Sequence, residues 1–143
     1  MSVDNKAIAR RFVDDFYNAG NLDLLHELCA PNYAVHDPAA PQGTDLESWK
    51  EVVRHYQLGL PDIHMVIEDL LAEDDKVAVR WTARATHTGE LMGIPPTGKQ
   101  ATIAGMTIHR IADGKIVETW WNWDALGTMQ QLGLLPTPEP TAQ

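Results

Sequence analysis

The spacing of apolar residues changes near residue 60, from every third or fourth position to every second position. The first spacing matches the 3.6-residue turn of an α-helix, and the second matches the alternation of a half-buried strand. A short extended piece, residues 33–38, interrupts the helical part. The pattern predicts three helices, four strands and a closing helix, over about residues 4–19, 21–28, 45–60, 63–71, 76–88, 100–111, 115–123 and 125–132.

This order of elements predicts an α+β fold. Parallel strands would need crossover helices between them, so strands joined by the turn signals Asp74-Asp75 and Asp113-Gly114 indicate an antiparallel sheet. Helices packed on one face of a strongly curved sheet form a cone with an interior pocket. The chain has 143 residues and neither repeat nor linker, so we expect one domain over residues 1–135 and a loose tail over 136–143.

A two-residue hairpin at Asp113-Gly114 predicts which residues of the last two strands share a face. Ala112 then lies opposite Lys115, and side chains alternate between the two faces. One face carries Ile103, Gly105, Thr107, His109, Glu118, Trp120, Asn122 and Asp124. The other face carries Met106, Ile108, Trp121 and Trp123.

The strand over 76–88 indicates which of these faces looks into the cone. Its apolar positions share one parity, which we take to face inward, so Trp81, one of them, is a candidate for ligand contact. Thr107, His109, Trp120 and Asp124 are then the interior row, because a pocket combines an aromatic wall with a few polar groups. The opposite face would be an apolar convex surface, and such a surface predicts a homodimer.

Composition and charge narrow the classes of function. Eleven basic against twenty acidic residues give a net charge of −9, which excludes a typical nucleic-acid binder. No apolar run reaches the ~20 residues of a membrane span, and no secretory signal is visible, so we expect a cytoplasmic protein without a membrane partner. Cys29 is the only cysteine, and its apolar flanks, which suggest a buried helical stripe, favour an inert core thiol. Neither a metal-ligand spacing of histidines nor a phosphate loop appears, so no metal or nucleotide cofactor is predicted.

Several other residues are candidates for ligand contact. His36 and His87 lie at strand ends near the mouth of the cone, where each would either hydrogen-bond a ligand carbonyl or fix its own loop. Trp49 and Tyr56 share one stripe of the third helix and either line the pocket or belong to the core. Asp124 directly precedes the last helix and is either its N-cap or a pocket acid.

The second half of the chain contains stretches particular enough to suggest a family. They are Leu60-Pro61-Asp62, Val77-Ala78-Val79-Arg80-Trp81, Thr86-His87-Thr88-Gly89-Glu90, Met92-Gly93-Ile94-Pro95-Pro96-Thr97-Gly98-Lys99, Arg110-Ile111-Ala112-Asp113-Gly114-Lys115-Ile116-Val117-Glu118 and Gln130-Gln131-Leu132-Gly133. With the helices in the same order, the chain resembles the SnoaL-like polyketide cyclases, of the cone-shaped superfamily that includes ketosteroid isomerase and scytalone dehydratase. The resemblance implies a central acid/base aspartate after a Glu-x-Trp motif, at Asp124, assisted by a histidine at His109.

Two functions follow from these features. The first is a cofactor-independent cyclase or isomerase acting on a small hydrophobic carbonyl compound. Ring closure by an intramolecular aldol reaction needs a proton removed beside a carbonyl and one delivered to the alkoxide, and one carboxylate can do both. Asp124 would be that group, with Trp120, His36 and His109 shaping the pocket. The alternative is a non-catalytic member of the same fold that binds a small apolar ligand.

Overall fold

The computed structural model describes residues 2–136, which contain four α-helices, one π-helical segment and five strands. The helices are α1 Ser2–Arg11, α2 Leu24–Leu28, α3 Leu46–Gly59 and α4 Ala125–Gln131. The strands are β1 Cys29–His36, β2 His64–Glu73, β3 Lys76–Thr86, β4 Gln100–Ala112 and β5 Lys115–Trp123. The α+β fold and the curved sheet with helices on one face are as predicted. Apart from Pro136, the predicted tail lies outside the described residues.

The first predicted helix changes its winding partway along. After α1 the chain continues as a π-helical segment, Phe12–Asn18, in which Phe12, Val13 and Phe16 are buried. Such segments are rare and often accompany functional sites, because the wider turn re-aims side chains. Here the segment carries Tyr17, which reaches the interior of the cone.

The sheet has the order β1-β5-β4-β3-β2. β2 to β5 form the predicted antiparallel meander, but β1 pairs with β5 in parallel, so the prediction of a purely antiparallel sheet is wrong at this edge. The long chain between β1 and β5 supplies the crossover that a parallel pair requires. Cys29 begins β1 instead of lying on a helix, although it is buried as predicted, and burial raises the pKa of its thiol to about 12.

A β-bulge changes the register between β4 and β5. The Asp113-Gly114 turn pairs Ala112 with Lys115 as predicted, and both turn residues have positive φ, 53° and 76°. Ile111 then pairs with Ile116, but Arg110 pairs with Glu118, so Val117 is an extra residue on β5. Because strand side chains alternate with period two, one extra residue moves every later side chain of that strand to the opposite face.

The predicted faces of β5 are therefore wrong beyond Val117. Trp121 pairs with Thr107 and is buried, whereas Trp120 pairs with Ile108 on the outer face. The inward parity of β3 is confirmed, since Val77, Val79, Trp81, Ala83 and Ala85 are all buried. The concave face of the sheet thus presents Trp81 and Trp121 to the helices.

Candidate functional site

A cavity of about 60 Å³ lies inside the cone, between the concave face of the sheet and the helices. A cavity needs a volume of roughly 10–15 Å³ to hold one water molecule, so this cavity has room for a few small groups. Its wall is almost entirely aromatic and apolar. It is formed by Tyr17, Asp37, Trp49, Tyr56, Leu60, Ile63, Met65, Trp81, Ile103, Trp121, Trp123, Thr128 and Met129.

Asp37 is the only acidic or basic residue among the described residues that line this cavity. It is 8% exposed. One carboxylate oxygen accepts a hydrogen bond from the backbone N–H of Ala39 at 2.9 Å, and the other accepts from the indole Nε1 of Trp123 at 3.2 Å. Burial raises the pKa of the Asp37 carboxyl, and the two hydrogen bonds limit the rise because they favour the charged form.

The position of Asp37 follows from the edge of the sheet. It comes directly after β1, whose last residue, His36, points outward, so Asp37 turns toward the interior. Pro38 follows, and the backbone then folds into a turn in which the N–H of Ala40 donates to the carbonyl of Asp37. Since β1 runs parallel to β5, this turn lies beside the end of β5 and brings Asp37 to Trp123.

Two tyrosines share the cavity with Asp37. Tyr17 comes from the π-helical segment and Tyr56 from α3. α3 begins with a capping box between Asp45 and Ser48, which fixes the helix that carries Tyr56. Burial and the nearby Asp37 charge raise the pKa of both phenols, so both hydroxyls remain protonated and can donate hydrogen bonds.

Asp124 lies outside the cavity. Its carboxylate is exposed and accepts a hydrogen bond from the backbone N–H of Gly127 at 2.9 Å as the N-cap of α4. On the outer face it borders a shallow groove together with Arg80, Met106 and Asn122. The predicted interior position of Asp124 is wrong, because the bulge at Val117 turns this residue outward with Trp120.

His109 and Thr107 point inward as predicted but are packed in the core instead of the cavity wall. His109 Nδ1 lies 2.8 Å from the hydroxyl oxygen of Thr119, which also accepts from the Tyr33 hydroxyl at 2.7 Å. Burial lowers the pKa of His109 to about 3, so its ring is neutral near pH 7. Thr107 accepts a hydrogen bond from the indole of Trp81 at 2.9 Å. Both residues therefore pack behind the residues that line the cavity and do not border it themselves.

The structure does not bring the other predicted polar contacts to the cavity. His36 and Trp120 stack on the outer face with ring centroids 5.5 Å apart, and His36 Nε2 lies 2.6 Å from a carboxylate oxygen of Glu118. His87 is fully buried, and its Nδ1 accepts from the backbone N–H of Thr97 at 3.2 Å. His87 thus fixes its own loop, which is one of the two alternatives that the sequence left open.

Three predicted ligand-contact residues do line the cavity, namely Trp49, Tyr56 and Trp81. Sequence reasoning missed Tyr17, Asp37, Trp121 and Trp123. One local signal for Asp37 was present: an acidic residue follows the apolar start of the extended piece and directly precedes a proline.

Neither a metal-binding group nor a membrane-spanning helix is found within residues 2–136. No three His, Cys, Asp or Glu side chains of this part of the chain come together as metal ligands. None of its helices is long and apolar enough to cross a bilayer.

Known proteins resemble this chain over most of its length. The model of the SnoaL-like polyketide cyclase family matches residues 7–132. Two aklanonic acid methyl ester cyclases, DauD of Streptomyces sp. (strain C5) and DnrD of Streptomyces peucetius, are 33% and 32% identical to it. These matches cover 92% of this chain in both cases, and 84% of DauD and 93% of DnrD. The crystal structure of IdmH from Streptomyces antibioticus superposes with a TM-score of 0.78 at 34% identity, over 90% of this chain and 98% of IdmH.

Proposed function

Because the chain belongs to the SnoaL-like polyketide cyclase family, we propose that it closes a ring in a polyketide-type ester by a cofactor-independent intramolecular aldol reaction, with Asp37 as the acid/base. The observation that carries this proposal is the buried carboxylate of Asp37, the one carboxylate that residues 2–136 contribute to the cavity, whose pKa is raised by burial. The acid/base role is assigned to Asp37 instead of Asp124, because Asp37 borders the cavity and Asp124 does not.

The proposed reaction needs one proton-transfer group and no redox partner. The Asp37 carboxylate removes a proton from carbon beside a carbonyl, and the resulting enolate carbon attacks a second carbonyl of the same molecule. A carbon–carbon bond forms, and the new alkoxide takes the proton back from the Asp37 carboxylic acid. Product and substrate are isomers, so no co-reactant is consumed.

The surroundings of Asp37 suit this task. A free aspartate, with a pKa of ~3.9, is a weak base, and transfer to an apolar site raises its proton affinity. Tyr17 and Tyr56 remain protonated and supply donors for the oxygen on which negative charge develops. Ketosteroid isomerase likewise combines an aspartate base with a tyrosine donor in the site that holds the enolate oxygen.

Entry of a large ester requires part of the wall to move. The cavity of about 60 Å³ is far smaller than the ~300–1,000 Å³ of most ligand pockets. α4 contributes Thr128 and Met129 to the wall, and hydrogen bonds between the side chain of Gln131 and the backbone of Thr102 hold the helix to β4. We expect α4 to shift on binding, with Asp124 positioning it as its N-cap.

The test compares two aspartates in the same protein. Aklanonic acid methyl ester, the compound in the names of DauD and DnrD, is incubated with each variant, and the isomeric product is separated by chromatography. Asp37→Asn should lower turnover by roughly 10² to 10⁴-fold, because the proton-transfer group is lost. Asp124→Asn should retain most activity, since asparagine also caps helices well. The reverse result would restore Asp124 as the acid/base, and binding without turnover by the wild type would favour the non-catalytic alternative.

We also propose that two copies of the chain pair through the outer face of the sheet. The register aligns Leu71, Ala78, Ile108 and Trp120 in one row across four strands, where Leu71 is 67% and Ile108 40% exposed. Apolar rows of this length are typical of interfaces. Trp120 replaces Trp121 in the predicted interface, because Trp121 is buried inside the cone.

Light scattering tests the dimer. Ile108→Lys should convert a dimer into a monomer at micromolar concentration, because it places a charge in the centre of the row. Leu58→Lys is the matched control, since Leu58 is equally apolar and 67% exposed but lies on α3, away from the sheet. A monomeric wild type, or a dimer unaffected by Ile108→Lys, would contradict the proposal.

A further inference from the structure

The four tryptophans that line the cavity differ in what their indole N–H groups meet. The N–H of Trp81 donates to Thr107, and that of Trp123 donates to Asp37. The N–H groups of Trp49 and Trp121 are buried and have no hydrogen-bond partner within the described part of the chain. Two of the four tryptophans that line the cavity therefore have an indole N–H without a partner.

A buried donor without a partner is unfavourable, and most buried polar groups in folded proteins are paired. Trp49 and Trp121 are each only 3% exposed, so bulk water does not satisfy them. Their rings are neighbours, with centroids 5.6 Å apart and planes inclined by 31°. Unpaired donors on two neighbouring residues that line one cavity are what a site built for acceptor atoms of a ligand would present.

We propose that Trp49 and Trp121 are specificity residues whose indole N–H groups donate hydrogen bonds to carbonyl oxygens of the ligand. The inference rests on the cavity being the ligand site, as in the proposed function, but it does not depend on turnover. It deepens that function by assigning carbonyl recognition to residues other than the proposed acid/base. A hydrocarbon of the same shape would leave both donors unpaired, so the site should discriminate against it.

The first test follows the indole N–H signals of ¹⁵N-labelled protein by NMR. The five signals are assigned with single Trp→Phe variants, and the probes are the ketone 1-indanone and its hydrocarbon analogue, indane. 1-Indanone should move the Trp49 signal, the Trp121 signal or both downfield, and indane should not. Trp120 lies on the outer face and is the internal control. If neither signal moves with 1-indanone, then the donors face a ring or a permanently bound water, and the proposal is wrong.

The second test measures discrimination as the ratio of the dissociation constants of indane and 1-indanone. In the wild type this ratio should be about ten, the value of one net hydrogen bond. It should fall several-fold in Trp49→Phe or Trp121→Phe, and stay unchanged in Trp120→Phe, which removes an indole from the outer face of the sheet. A wild-type ratio near one, or a ratio unchanged in both variants, would overturn the proposal. This ratio is measured by binding alone, whereas the proposed reaction is measured by turnover, so failure of carbonyl recognition and failure of the proposed reaction are scored separately.

Discussion

The hydrogen bond between Trp123 and Asp37 predicts how the proton affinity of Asp37 responds to Trp123→Phe. In the wild type the Asp37 carboxylate has two donors, the indole of Trp123 and the backbone N–H of Ala39. Both favour the charged carboxylate and so oppose the rise in pKa that burial causes. When the indole is removed, only the backbone N–H of Ala39 still opposes the effect of burial, so the pKa of Asp37 should rise further.

The size of this rise follows from the strength of the lost bond. A hydrogen bond to a charged group contributes about 1.5–3 kcal/mol. The N···O distance is 3.2 Å, at the long end of the normal range, so the lower figure applies. A loss of about 1.4 kcal/mol is a factor of ten in an equilibrium constant, so the proton affinity of the Asp37 carboxylate should rise about tenfold.

The assay is a pH titration of ¹³C-labelled aspartate carboxyl signals, in which Asp37→Asn identifies the signal of Asp37. Trp81→Phe is the matched control, because it removes an indole from the same wall whose N–H binds Thr107 instead of Asp37. The pKa of Asp37 should change little in this control. Equal rises in both variants would mean that the shape or hydration of the cavity sets the pKa, and no rise in Trp123→Phe would refute the reasoning.

Three further predictions concern stability, each measured by urea unfolding. Because burial raises the pKa of Asp37, the folded protein binds that proton more tightly than the unfolded chain does, and the carboxyl contributes stability only while it is protonated. Asp37→Asn should therefore increase the free energy of unfolding at pH 7, with the gain vanishing below the unfolded pKa of ~3.9; a less stable variant at pH 7 would contradict this. Gly105→Ala should cost about 1–3 kcal/mol, because its Cβ would lie 2.3 Å from the Trp81 ring and 2.8 Å from the Trp123 Cβ; an unchanged midpoint would show that both indoles can move away. Asp124→Ala should cost about 1 kcal/mol and Asp124→Asn much less, and equal losses would argue against the N-cap role.

The sequence was sufficient for the elements and for most of the sheet, because those depend on local signals. Two adjacent residues with positive φ close the Asp113-Gly114 hairpin, and Asp and Gly are the residues that such a turn favours. The bulge at Val117 has no comparable signal, since neither glycine nor proline marks it and Val is an ordinary strand residue. Its place is set by how the β5 side chains pack against the rest of the fold, which a hairpin register cannot supply.

The position of Asp37 in the cavity could not be predicted from its neighbours in the sequence, and the reason is different. The extended piece before it was visible, but its partner strand begins about eighty residues later, and the parallel pairing of β1 with β5 decides what Asp37 faces. Trp49, Tyr56 and Trp81 were found because each lies on an inward stripe of a regular element. Tyr17 also lies on such a stripe, but the apolar spacing alone does not distinguish a cavity residue from a core residue.

The bulge at Val117 also decides which of the two candidate acids, Asp37 or Asp124, is placed for catalysis in the cavity. With Val117 as the extra residue, Trp121 and Trp123 face the cavity, Trp123 donates to Asp37, and Asp124 turns outward. Without the extra residue, Trp120 and Asp124 would face inward, and Asp37 would lose the indole donor that holds its charged form. A β5 register that places Asp124 in the cavity therefore removes the hydrogen bond from Trp123 to the Asp37 carboxylate. Comparison of Asp37→Asn with Asp124→Asn consequently tests the register of β5 as well as the identity of the acid/base.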